Sequence, residues 1–316
     1  MALRVPGHIK LNGANITVQY GRGDWRWLHQ DWVNNGFTQV WETWIKPQID
    51  YAIGNLGCNC IRLISGQSGI FNSLYSQAQH DALWIQLAEY IAERKCYLYP
   101  ALGQGNWFVS GGQCYGVTAT QVATSIAATL TALADYHNII GVDALQEAGS
   151  WESNTAGFVN DVYNGIKAVH PTMPVSFSAY KNLSTYAAMQ TWFASINHDY
   201  LDFHFYPSNY PSLTAPIVAA DLNYWRQTYP TNDIIFGEAG IPNSYSDSEK
   251  ASFLKAIYRI ANEDGRVRGI LGWAANDQDV VSTNQWGVYN TSWVERPAKA
   301  QIMRAYSRGA CVSRLA

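Results

Sequence analysis

Charge is what this chain of 316 residues has least of. Charged residues make up 14% of it, against about 25% in an average soluble domain. The net charge of −3 offers no attraction to nucleic acid or to an anionic membrane surface, so neither is expected as a partner. No run of 18 apolar residues occurs, which excludes a transmembrane helix of ordinary length. Met1 to Lys10 lacks the apolar stretch of a signal peptide. There is no Cys-x-x-Cys, Cys58-x-Cys60 is not a zinc spacing, and none of the seven histidines forms His-x-His. Metal-dependent hydrolysis therefore lacks its usual ligands. No lysine closes a strand, so a Schiff-base aldolase lacks its nucleophile. Gly237 and Gly240 are too few to make a phosphate-binding loop. No linker, internal repeat or low-complexity segment divides the chain, and no cofactor is expected. The length would suit two ordinary domains, but without a linker a single domain over residues 1–316 is the simpler reading.

Asn, Gln, Ser, Thr, Tyr and Trp stand in place of the missing charge. A surface of that kind suits neutral, hydroxyl-rich ligands. Thirteen tryptophans are many for this length, and the indole face that packs well in cores also stacks well on sugar rings. The five cysteines are Cys58, Cys60, Cys96, Cys114 and Cys311. An odd count leaves at least one thiol without an intramolecular partner. Small buried hydrophobes are the expected role, with a Cys58–Cys96 disulfide as the alternative.

Short β-rich runs alternate with helical patterns, which predicts parallel βαβ units. Eight strands are expected: Asn15–Tyr20, Cys58–Ile64, Cys96–Leu102, Ile139–Gln146, Pro174–Ala179, Leu201–Tyr206, Asp233–Glu238 and Gly269–Ala274. Runs such as IIGVDAL and GILGWAA are nearly continuous in apolar residues, as in strands buried on both faces. Helices are expected over Ala82–Arg94, Asn154–Val169, Leu183–Ala194, Thr214–Thr228 and Pro297–Ser307. Thr118-x-x-Gln121 and Ser246-x-x-Glu249 have the form of capping boxes that open two more. Eight strands suit a single α/β (β/α)8 barrel better than a doubly wound sheet of five to seven.

In such a barrel the site lies at the C-terminal ends of the strands. Glu147 closes the fourth run, in Gln146-Glu147-Ala148, and Glu238 closes the seventh, in Gly237-Glu238-Ala239-Gly240. A carboxylate ending an apolar run is costly unless it is used or paired, and two at one barrel mouth are what glycoside hydrolysis requires. Either could instead form only a structural ion pair. Arg62 ends the second run and could keep a neighbouring carboxylate ionised. Alternation sends His204 and Tyr206 to one face of the sixth strand, with Tyr206 placed to bond Glu238. Trp273 on the eighth strand is a candidate sugar platform. Trp25, Trp27, Trp107, Phe108, Trp151, Trp286 and Trp293 are further aromatics after strands. Asp24, Glu42, Glu152, Asp202 and Asp277 are rival acids, with Asp202 at the start of its strand and so at the wrong end for catalysis.

The order of Gly57-x-Asn59-x-x-Arg62, His204-x-Tyr206, Gly237-Glu238-x-Gly240 and Trp273 resembles clan A glycoside hydrolases, and most of all the cellulase-type family 5 barrels, over about Ile9 to Ser307. The resemblance implies a retaining double displacement with Glu147 as acid/base and Glu238 as nucleophile. The several aromatics along the mouth suggest a β-linked oligo- or polysaccharide substrate, cut internally, and a secreted monomer is expected. Substrate contacts are expected from Arg62, Gln146, His204, Tyr206, Trp273, Trp107, Trp151 and Trp25. Gln146 departs from the family, which has Asn before its acid/base, and the usual histidine of strand three is not evident near Tyr99-Pro100-Ala101. A transglycosylase would share all these residues, and a non-catalytic carbohydrate-binding barrel would keep only the aromatics.

Overall fold

The computed structural model describes residues 2–16, 36–64, 67–103, 108, 114, 116–148, 155–179, 186–206, 215–277, 285–290 and 292–309. Eight parallel strands run in the order β5-β4-β3-β2-β1-β8-β7-β6. They are β1 Leu11–Ile16, β2 Cys60–Ile64, β3 Tyr97–Ala101, β4 Val142–Asp143, β5 Val175–Ser176, β6 Leu201–Phe205, β7 Ile234–Ala239 and β8 Val267–Gly272. A parallel bridge from Ala179 to Phe203, with His204 N–H donating to the Ala179 carbonyl at 3.2 Å, brings the ends of the sheet together. The result is the expected (β/α)8 barrel.

Helices fill the connections: α1 Phe37–Val40, α2 Lys46–Gly54, α3 Ser68–Phe71, α4 Gln77–Glu93, α5 Ala119–Ala132, α6 Ala156–Val169, α7 Tyr186–Ser195, α8 Ala215–Thr228, α9 Asp247–Glu263 and α10 Pro297–Gly309. The capping boxes of α5 and α9 form as their sequences predict, and a third, Ser76 with Gln79, opens α4 five residues before the expected start. Helix α1–α2 has no counterpart in the sequence reading, and its second part carries Pro47 in its first turn. Here the turn ahead of it widens to π geometry over Trp41–Ile45, which makes room for a ring that would strike a carbonyl of the preceding α-helical turn.

The first strand is Leu11–Ile16, earlier than the expected Asn15–Tyr20, whose last four residues lie outside the described set. LNGANI has two asparagines and a glycine and looks like a turn. Inside the barrel those small polar residues have uses described below.

Side chains pointing inward form layers, as such barrels require. At the floor, Leu3, Val5, Ile9 and Leu11 pack with Cys60, Tyr97, Tyr99, Ile140, Tyr200, Ile235 and Leu271. The segment before β1 closes this end, with Arg4 N–H bonded to the Ile140 carbonyl at 2.7 Å. At the mouth Ile64, Ala101, Tyr206, Trp273 and Ala274 form a smaller cluster with Trp286 beside it. A third, large apolar cluster lies between the barrel wall and the helices. Cys58, Cys60, Cys96 and Cys114 are buried and in no disulfide among the described residues, so the alternative Cys58–Cys96 disulfide is not formed. Cys311 lies outside the described residues.

Candidate active site

Between floor and mouth lies a layer of polar and charged side chains. Arg62 on β2 is fully buried. Its Nη1 donates to Glu238 Oε1 at 2.6 Å and to Asn15 Oδ1 at 2.8 Å, and its Nη2 donates to Asp143 Oδ2 at 2.8 Å. Asp143 also accepts from Ser178, from the backbone N–H at 3.1 Å and the hydroxyl at 2.8 Å. The Ser178 hydroxyl in turn accepts the Glu147 N–H at 2.8 Å. That bond supports a backbone with φ 53 at Glu147, a left-handed conformation that costs a non-glycine residue on the order of 1–2 kcal/mol and is found preferentially at functional sites.

Glu238 is held from three further directions. Gln146 Nε2 donates to Oε1 at 3.0 Å, the Tyr206 hydroxyl donates to Oε2, and His204 Nδ1 stands 3.5 Å from Oε2. The same His204 nitrogen lies 3.0 Å from Glu147 Oε1. One carboxylate oxygen each of Glu147 and Glu238 and a His204 nitrogen all lie within 4.8 Å of one another. The predicted alternation along β6 thus brings His204 and Tyr206 to the same carboxylate. The pairing of β7 with β6 shifts register between Asp202 and His204, and its pairing with β8 shifts between Phe236 and Ala239. Irregularities of this kind re-aim side chains next to active sites.

Two glycines around Glu238 are required by close approach. A Cβ at Gly237 would strike the Asp202 carboxylate, and one at Gly240 would come within 2.7 Å of the Trp273 carbonyl oxygen and 2.9 Å of the Tyr206 ring.

Burial pushes the Glu238 carboxyl above its ordinary value, opposed by the Arg62 guanidinium and the Tyr206 hydroxyl. Arg62 thus acts in the expected sense on its neighbouring carboxylate, and burial outweighs it. Arg62 is shared with Asp143, so one cation serves two fully desolvated carboxylates. Burial likewise raises Asp143. Burial and the nearby Arg62 charge hold His204 well below the ordinary histidine value, so the ring is neutral.

Trp273 is nearly buried, at 9% exposure, in the mouth cluster. Trp286 packs edge-on against Tyr206, ring centroids 5.1 Å apart. Trp293 packs on Trp44 and Tyr289 and is partly exposed, and Phe108 is buried against Phe71 and Phe158. Trp25, Trp27, Trp107 and Trp151 lie outside the described residues. Of the rival acids, Glu42 is exposed and paired with Lys46. Asp277 is paired with Arg296 at 2.5 Å. Asp24 and Glu152 lie outside the described residues. Asp202 is fully buried, at the level of the charged layer.

The sequence reading missed Asn15, Asp143 and Ser178. Asp143 carried a usable signal, as the one charged residue inside the IIGVDAL run. Asn15 and Ser178 carried none that separates them from loop residues. Glu147, His204 and Glu238, or Asp143, Asp202 and His204, bring ligand-type atoms close enough for a cation, but the fixed charge of Arg62 already occupies this layer.

No family model and no curated protein matches the chain. Solved structures do match. A glutamate-to-alanine variant of a GH5_18 protein from Streptomyces cattleya, in complex with Manβ1-4GlcNAc, superposes with a TM-score of 0.71 at 15% identity, covering 95% of this chain and 81% of that one. A GH5_18 protein from Bifidobacterium longum subsp. infantis gives 0.71 at 14% identity over 96% and 79%. The exo-β-1,4-mannosidase Op5Man5 from Opitutaceae bacterium strain TAV5 gives 0.69 at 15% identity over 96% and 60%. At such identities the likeness shows the fold, which is the barrel that these glycoside hydrolases share. Among the described residues no helix is long and apolar enough to cross a membrane.

Proposed function

We propose that this protein is a retaining glycoside hydrolase acting on a β-linked oligo- or polysaccharide, with Glu147 as acid/base and Glu238 as nucleophile. The observation that carries the reading is the pair itself. Carboxylate oxygens of the two glutamates lie within 4.8 Å of each other at the strand ends. So close an approach of one oxygen from each favours the roughly 5–5.5 Å separation of a retaining pair over the roughly 6.5–9.5 Å that an inverting pair needs for a water.

Glu147 protonates the departing glycosidic oxygen while Glu238 attacks the anomeric carbon. Glu147 then takes a proton from the water that releases the sugar from Glu238. Arg62, Gln146 and Tyr206 all donate to Glu238. They orient the attacking oxygen, and their bonds weaken as its charge passes to the ester. Neutral His204 spans both carboxylates without adding a second buried positive charge. Because burial raises Glu238, the acid limb of kcat/KM falls above the ordinary glutamate value of about 4.3.

The test is cleavage of a panel of β-linked glucans, mannans, xylans and galactans, extended to Manβ1-4GlcNAc and to β-glucuronides because structural neighbours carry those names. Products are read by mass and the first-formed anomer by NMR. Wild type is expected to cleave at least one with retention, and Glu147→Gln and Glu238→Gln to lose turnover. Inversion, or near-normal turnover by Glu238→Gln, would overturn the assignment. Release of only monosaccharide from the first time point would overturn internal cutting.

A further inference from the structure

Beneath the two glutamates lies an acid that this mechanism does not use. Asp202, on β6, is fully buried. The Tyr99 hydroxyl donates to its Oδ2 at 2.5 Å, the Tyr200 hydroxyl donates to Tyr99 at 2.9 Å, and the Gly237 N–H donates to Oδ1 at 3.0 Å. Arg62 donates to Asn15, Asp143 and Glu238 and makes no bond to Asp202. Those two carboxylates already exceed its single charge. A third ionised carboxylate in the same dry interior would lack a paired cation, which is strongly disfavoured. Burial and the neighbouring Asp143 accordingly push the Asp202 carboxyl well above its usual range, although Arg62 and the Tyr99 bond oppose the shift. The charge count and this upward shift both favour the protonated form of Asp202.

One polar atom beside it has no partner. His204 Nε2 is buried, has no hydrogen-bond partner among the described residues, and stands 3.9 Å from Asp202 Oδ1. On the other side of the ring, Nδ1 lies 3.0 Å from Glu147 Oε1. A neutral imidazole carries one N–H, and the hydrogen bond at one nitrogen decides where that proton sits.

We propose that Asp202 is a positioning residue whose carboxyl group donates to His204 Nε2, so that the single proton of the ring stays on Nδ1, facing Glu147. This inference rests on the reading of Glu147 as the acid/base. The gap exceeds a good hydrogen bond by about 1 Å, and such bonds tighten when substrate fills a site. With Nδ1–H directed at Glu147, the ring stabilises the Glu147 carboxylate once its proton has gone to the leaving group. The groups that face Asp202 are Arg62 from β2, Tyr99 from β3, Asp143 from β4, Tyr200 and His204 from its own strand and its approach, and Gly237 and Glu238 from β7. Of these, His204 is the one whose side chain also reaches the Glu147 carboxyl group.

The test is nitrogen NMR of histidine-labelled protein at neutral pH, with His204 assigned by its loss in His204→Asn. Wild type is expected to show a neutral ring protonated at Nδ1. Asp202→Asn, whose amide still donates, is expected to keep Nε2 hydrogen-bonded, and Asp202→Leu to shift it to the position of a bare ring nitrogen. These signals do not depend on turnover, so they decide the inference even if no glycoside is cleaved. In the cleavage assay, Asp202→Asn is expected to retain about tenfold more kcat than Asp202→Leu, the size of one hydrogen bond, with KM little changed. A proton on Nε2 in wild type would overturn the proposal. So would identical His204 signals in Asp202→Asn and wild type at a pH where Asp202 of wild type is shown to be ionised. The first of these needs no variant to fold.

Discussion

Replacing Arg62 by methionine, which matches its length without its charge, should make stability steeply dependent on pH. The guanidinium is fully buried and pairs with Glu238 at 2.6 Å and Asp143 at 2.8 Å. Removing one partner of a buried ion pair costs about 3–5 kcal/mol. An unfolding entropy of roughly 2.1 cal/mol/K per residue over 316 residues gives about 0.66 kcal/mol/K, so the loss is a fall in Tm of about 5–8 °C at neutral pH. The sign of the pH dependence follows from the carboxyls. Glu238 and Asp143 already titrate above their ordinary values, and Arg62 opposes that rise in both. Without it both rise further. A carboxyl with a raised folded pKa binds more protons folded than unfolded, so the stability it allows falls as pH climbs from about 4 towards the raised value. The deficit of Arg62→Met should therefore be largest at neutral pH and shrink as pH falls towards about 4, where the raised carboxyls of the folded protein take up protons. Thermal melts of both proteins from pH 4 to 8 measure this. A deficit independent of pH would show that Arg62 acts by packing alone, and the charge argument would fall.

Removing the Tyr206 hydroxyl in Tyr206→Phe takes a charge-assisted hydrogen bond of about 1.5–3 kcal/mol from Glu238. Tyr206 lowers the Glu238 pKa, so the acid limb of kcat/KM should move up by about 1–2 pH units; an unmoved limb would exclude Tyr206 as a partner of the titrating group. The four described thiols are buried, and burial raises the pKa values of Cys58, Cys60 and Cys114, to about 11 for Cys114. All four should resist a thiol reagent in the native protein and react after unfolding, and rapid native labelling of Cys58 or Cys96 would contradict the packing.

The barrel was legible in the sequence because strands buried on both faces read as apolar runs, and because capping residues mark helix starts whatever lies around them. It failed at Leu11–Ile16, where the residues are chosen for the barrel interior rather than for strand propensity. Asn15 has its Nδ2 on the Gly237 and Gly272 carbonyls and its Oδ1 on Arg62, contacts that no local pattern encodes. It also missed the helix around Pro47, where a widened turn accommodates the proline ring. In the site, Arg62, Glu147, His204, Tyr206 and Glu238 were readable as polar residues near strand ends. Asp202 was visible at the start of its strand, where the structure has it, but its closeness to His204 was not. The alternation that puts His204 and Tyr206 on the inner face puts Asp202 there as well, two residues below, where its effect passes through the ring above it.

The composition of the charged layer argues that it is not there for stability. A structural ion pair would balance its charges, and apolar residues of the same volume are often as good or better in such a place. Here one guanidinium faces Asp143 and Glu238 directly, with Asp202 and Glu147 one side chain further on. Burial drives Asp143, Asp202 and Glu238 all upward, and each such shift is a cost to the folded state at neutral pH. Arg62 Nε and His204 Nε2 are buried without partners, and Glu147 sits in a left-handed backbone. These features work against folding in the same few cubic ångströms, at the strand ends, where ligands of this fold bind. The large apolar cluster under the helices supplies the stability that lets such a layer persist. Local conflict tolerated inside a well-packed scaffold is how a site kept for chemistry differs from one kept for structure.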